Sequence, residues 1–159
     1  MKRIYAMLAV MLLSVGLLAG CGGQDKAADG GKHLSAALYW FGESVDPAHE
    51  WDGWTVTRIG AGETLVAVNE HMEFVPQLAD KWEHISATTW RFHIRPNVKF
   101  QDGTPMTPEL VKASLERTMQ ENDRAKKALH AKEIRVDGEN IVIETEEPNA
   151  SLISALSDP

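Results

Sequence analysis

Thr89-Trp90-Arg91-Phe92-His93-Ile94-Arg95 alternates apolar and polar side chains without a break, so Trp90, Phe92 and Ile94 share one face. A period of two marks a strand with one face buried and the other wet. Val98 and Phe100 repeat the alternation, and Asp102-Gly103 then turns the chain. Thr107-Pro108-Glu109 opens a helix. Thr107 can cap free amides, Pro108 is pre-set for the first helical position, and Glu109 suits the positive end of the dipole. Leu110, Val111, Leu115, Thr118 and Met119 follow as one stripe, which predicts that this helix packs on the sheet.

Working outward, polar residues from Gln120 to Lys127 end or extend that helix. Glu133 to Val136 and Asn140 to Glu144 read as two strands of a hairpin turning at Asp137-Gly138. Pro148 stops the pattern, and Ser151 to Leu156 begins another amphipathic helix. Upstream, Gln77 to Trp82 is short and semi-apolar, and Asn69-Glu70 is a turn leading to Phe74-Val75-Pro76. Val56, Ile59 and Leu65 fit helical spacing between Trp54 and Val66, weakened by Gly60 and Gly62. Asp46-Pro47 and Asp52-Gly53 are loop signals, and Leu34 to Phe41 reads as a strand.

The first twenty residues read as an address. Lys2 and Arg3 precede an apolar run from Ile4 to Leu18, too short and wrongly flanked for a permanent membrane span. Leu18-Ala19-Gly20-Cys21 matches the bacterial lipobox, with Cys21 as the lipidated thiol. Cys21 is the single Cys of the chain, so it makes no internal disulfide. Gly22 to Lys32 lacks large apolar side chains and reads as a flexible tether. The expected organisation is residues 1–20 as signal peptide, 21–32 as lipidated Cys and tether, and 33–159 as the folded part. Such a chain is extracytoplasmic and anchored to the cell membrane through acyl chains.

Loss of the signal takes two of the 16 basic residues and leaves 14 against 23 acidic ones, a net charge of −9. That balance excludes a nucleic-acid partner, which requires clustered Lys and Arg. A nucleophile elbow, zinc helix or Walker loop is lacking, so the sequence does not read as an enzyme and calls for no cofactor.

Four segments together carry a resemblance: Gln77-Leu78-Ala79-Asp80-Lys81-Trp82-Glu83, Thr89 to Arg95, Val98-Lys99-Phe100-Gln101-Asp102-Gly103-Thr104-Pro105, and Val111-Lys112-Ala113-Ser114-Leu115-Glu116-Arg117. In order, spacing and residue type they resemble the family 5 extracellular solute-binding proteins, which include oligopeptide, dipeptide and nickel-binding components of ABC importers. The resemblance implies an α/β fold of the class II periplasmic-binding-protein-like type, a two-lobed clamp with ligand held between lobes. Family members run to roughly three or four times this mature length, beyond one domain's usual size. The expectation is therefore that residues 33–159 form an incomplete amino-terminal lobe, binding ligand weakly or not at all. Implied partners are ABC permease and ATPase subunits.

The stretch from Ser44 to Trp54, with Arg58 and Glu63-Thr64-Leu65, resembles the nickel branch more than the peptide branch. In that branch the resemblance implies Arg side chains for a chelate's carboxylates, aromatic faces for packing, and at times a His for the metal. Trp51, Trp54, Arg58, Arg124 and His49 are the candidate ligand-binding residues on those grounds. Trp51 and Trp54 also read as core, Arg58 as a surface ion pair, and Arg124 as a solvated charge. His33, His71, His84, His93 and His130 show no paired metal spacing, and His93 lies on the polar face of its strand, so metal ligands stay undefined. Peptide is the competing ligand class, and an envelope lipoprotein without a transport role is the competing function.

Overall fold

A computed structural model describes residues 35, 37–39, 42 and 44–159. The signal, Cys21, the tether and His33 lie outside the described residues. In chain order the elements are α1 Asp52–Arg58, β1 Val66–Val68, β2 Phe74–Pro76, β3 Ala79–Ser86, β4 Thr89–Ile94, α2 Pro108–Glu121, α3 Asp123–Leu129, β5 Ala131–Asp137, β6 Asn140–Thr145 and α4 Leu152–Ala155. Strands β3, β4, β6 and β5 form one sheet in that order, with every neighbour antiparallel. β1 and β2 make a separate two-stranded ribbon. Mixed helix and sheet is what the α/β reading expects.

The core follows from register. Trp90 lies opposite Ile143 and Phe92 opposite Ile141, while Ile134 and Val136 of β5 meet the same two isoleucines from the other side. Phe92, Ile141 and Ile143 are fully buried, with Trp90, Ile94 and Ile134 beside them. Cross-strand partners share a face, so the alternation read in β4 puts its apolar set onto one sheet surface. Val111 from α2, Leu129 from α3 and Leu152, Ile153 and Leu156 around α4 close over that surface. Each such side chain contributes about 1.5–3 kcal/mol on leaving water.

Local chemistry ends the elements as the sequence suggests. The Thr107 side chain accepts from the Leu110 amide at 3.4 Å, with Pro108 in the first turn. Gly138, at φ +60°, turns the β5–β6 hairpin. Helix α1 ends where the amides of Ala61 and Gly62 both donate to the Val56 carbonyl, at 3.0 and 3.1 Å, with Gly60 at φ +75°. It therefore starts and stops earlier than its apolar spacing predicts, and Val66 belongs to β1.

Three expectations need correction. Residues 35 and 37–39, within the strand expected over residues 34–41, are in no strand, and among the described residues they pair with none. The alternation does not continue through Val98 and Phe100. Asn97, at φ +61° after Pro96, redirects the chain, Lys99 makes an isolated bridge to Pro105, and Phe100 is 44% exposed. Leu110 lies in the apolar stripe of α2 yet is 41% exposed, because the deep contact of that first turn is made by Val111.

Candidate functional site

The loop before α1 is built from short polar side chains that bond their own backbone. Ser44 Oγ accepts from the Asp46 amide at 3.0 Å, and Asp46 Oδ1 accepts from the Ala48 amide at 3.0 Å. Asp52, only 3% exposed, accepts from the Ser44 amide at 2.9 Å and pairs with His49 Nδ1 at 3.1 Å. Arg117 of α2 ion-pairs with Asp46 and fixes the loop from outside. That hydrogen bond to Arg117 holds the Asp46 carboxyl below its ordinary range and raises the Arg117 guanidinium.

Asn122 joins this loop to the helices behind it. It sits between α2 and α3, buried, and its side-chain oxygen accepts from the amides of Arg124 and Ala125 at 3.0 and 3.2 Å. Its Nδ2 donates to the Glu50 carbonyl at 2.9 Å. One side chain thus caps α3 and holds the backbone next to Trp51.

The result is a cluster of the residues singled out from the sequence. The Arg124 guanidinium lies over the Trp51 ring, 4.3 Å from its centroid, and that of Arg58 lies over Trp54 at 5.2 Å. Asp158 links the two pairs: one oxygen accepts from Trp54 Nε1 at 2.9 Å and the other ion-pairs with Arg124. Gly53 makes room for this, because a Cβ there would stand 2.5 Å from the Pro159 carbonyl carbon. Trp51 is 53% and Trp54 39% exposed, so neither is core. Arg124 Nε is buried with no hydrogen-bond partner among the described residues. A cavity of about 260 Å³ opens beside the cluster, with Arg124 and Asp158 in its wall and Leu65, Phe100, Leu110 and Leu115 among its apolar lining.

His49 pairs with Asp52, whereas the tryptophan–arginine contacts join Trp51 to Arg124 and Trp54 to Arg58. Among the described residues no three His, Cys, Asp or Glu side chains are grouped to hold a metal ion. His93 sits across the sheet between Asp80 at 2.6 Å and Glu139 at 3.4 Å. A second groove of about 530 Å³ runs between α2 and β5, bounded by Lys112, Glu116, Lys132 and Arg135. Asn122 and Asp158 are the participants that sequence reading missed. An Asn before a helix is a capping signal that could have flagged the first, whereas nothing local flags Asp158.

The chain belongs to the bacterial extracellular solute-binding proteins, family 5, whose description matches residues 73–159. It is similar to the nickel-binding protein NikA of Staphylococcus aureus, 31% identical over 98% of this chain and 30% of that protein. It is also similar to the periplasmic oligopeptide-binding protein OppA of Escherichia coli, 27% identical over 73% of this chain and 22% of that protein. Among solved structures, that of a nickel ABC transporter from Bacillus halodurans superposes with a TM-score of 0.64 and 39% identity, covering 67% of this chain and 23% of that one. The chain thus spans less than a third of the length of the curated relatives named here.

Proposed function

We propose that this chain is part of the lipid-anchored substrate-binding component of an ABC importer, a component that captures nickel as a chelate and is not an enzyme. The observation that carries this reading is the cluster of Trp51, Trp54, Arg58 and Arg124. A guanidinium backed by an indole face is a recognition element for a carboxylate on a small flat ligand. Similarity to nickel-binding relatives supports the metal chelate as cargo. The donor chemistry fits a chelate whose carboxylates meet Arg124, with the metal carried as cargo by its own chelator.

In this reading residues 1–20 direct export, acylated Cys21 and residues 22–32 form anchor and leash, and residues 33–159 belong to the amino-terminal lobe. The whole protein works by population shift: ligand favours the closed clamp, and the closed clamp docks on the permease. Peptide is the second reading, supported by the oligopeptide-binding relative.

An incomplete lobe that carries part of the site is expected to bind weakly, so calorimetric titration of residues 22–159 with nickel–histidine and with short peptides, at high ligand concentration, tests the cargo. Heat from the nickel complex, lost in Arg124→Ala, supports the chelate reading; heat from peptide alone transfers the site to the second reading. Labelled palmitate incorporated by the wild-type chain and refused by Cys21→Ser tests the anchor.

A further inference from the structure

We propose that Asp158 is an internal stand-in for the ligand's carboxylate, occupying the Arg124–Trp54 cradle until a ligand displaces it. This inference rests on the reading of the cluster as the ligand site and adds to it both a competitor and a ligand class.

The geometry makes the case. Asp158 uses both carboxylate oxygens, one on Trp54 Nε1 and the other on Arg124. These donors lie on α1 and α3, which the sequence places far apart, and they converge on one anionic group. A carboxylate that bridges two converging donors shows that the donors fit a carboxylate. Arg124 also reaches the Pro159 carbonyl at 3.4 Å, so the same backbone segment covers a further donor of the guanidinium.

The contact is poised to exchange rather than to lock. Both partners keep about a third of their side-chain surface in water, at 31% for Arg124 and 33% for Asp158. Ion pairs at that exposure are weak, unlike a buried pair, whose opening would strand a charge in the interior. Arg124 does not depend on Asp158 for its place, since Asn122 fixes the backbone beneath it and Trp51 supports its guanidinium face. Displacement of Asp158 would leave Arg124 and Trp54 Nε1 as open donors beside the cavity. The class of ligand selected is a small molecule with a free carboxylate, because an amide or an alcohol brings no charge to compete for Arg124. Binding then includes the cost of displacing an acid already held at high effective concentration.

The test is an NMR titration of the full chain and its variants with the nickel–histidine complex and, separately, with trialanine. Asp158→Asn keeps an oxygen for Trp54 but gives up the charge on Arg124. It is expected to bind the carboxylate probe about 1.5- to five-fold more tightly than wild type, the range set by a weak ion pair. Asp158→Ser should do the same, which guards against a folding defect in one variant. Asp137→Asn, the same charge change on the distant β5–β6 turn, is expected to leave the affinity unchanged. Unchanged or weaker binding in both Asp158 variants, with wild type binding normally, overturns the competitor role and makes Asp158 a positioning residue. Equal tightening in Asp137→Asn would reduce the effect to net charge and also overturns it. Failure of every variant to bind either probe overturns the ligand-site reading itself.

Discussion

The Arg124 guanidinium rests on the face of Trp51, 4.3 Å from the ring centroid, although the two residues come from α3 and from the loop before α1. Asn122 brings them together, by capping the helix that carries one and holding the backbone that leads to the other. A capping bond and a buried amide contact thereby set the position of a surface charge.

Asn122→Ala should consequently lose stability and site geometry together. Removal of an N-cap costs about 0.5–2 kcal/mol. The Glu50 carbonyl loses its donor in the same step. A lower thermal midpoint, together with loss of the Arg124-dependent binding, is the expected outcome of calorimetry on this variant. Asp123→Ala, which leaves the cap bonds in place and removes only an acid from the first turn, should lower the midpoint less and keep the Arg124-dependent binding.

Phe92→Ala and Phe100→Ala should separate core from surface. Phe92 is fully buried between β3 and β6, opposite Trp82 and Ile141, so its truncation should cost about 3–5 kcal/mol. Phe100 keeps 44% of its surface in water, so its truncation should cost less, about 1 kcal/mol. Urea midpoints of the two variants measure the difference.

His93 gives a pH dependence of known sign. Its hydrogen bond to Asp80, with a further one to Glu139, raises its pKa above the ordinary 6.5. The stabilisation is therefore complete below pH 6.5 and is lost as pH rises through the raised value. On the other side, the hydrogen bond from His93 lowers the Asp80 pKa from 3.8, so that contribution is present above pH 3.8 and is lost as pH falls through the lowered value. His93→Gln should flatten the alkaline loss. An imidazole titration by NMR should place His93 above the free value, and a midpoint below it would refute the assignment.

Trp54→Phe should keep the ring beneath Arg58 and remove the indole N–H that Asp158 accepts. The expected result is near-native stability, since the bond is exposed, with Asp158 less firmly held. The readout is the Asp158 carboxyl chemical shift, which should move in this variant and stay fixed in Trp51→Phe.

Much of the fold was legible because it rests on local rules. The period of two from Trp90 to Ile94 became an alternating burial pattern, Thr107-Pro108 became a capped helix start, and Asp137-Gly138 became the turn of a hairpin. The reading failed where one residue overrode the pattern. Asn97 turned left-handed and broke the alternation that Val98 and Phe100 still display in the sequence. Of the candidate residues picked out by type, Trp51, Trp54, Arg58 and Arg124 do come together in space. Asp158 was not, because its partnership with Trp54 spans nearly the whole described chain and leaves no mark in spacing.

The most direct test of the account is a paramagnetic broadening map: nickel–histidine is added to the isotope-labelled chain and the signals that lose intensity are identified. The account predicts loss centred on the indole N–H groups of Trp51 and Trp54 and on the Arg124 side chain. Broadening centred instead on Lys112, Lys132 and Arg135 in the α2–β5 groove, or none above that of free nickel, would contradict it.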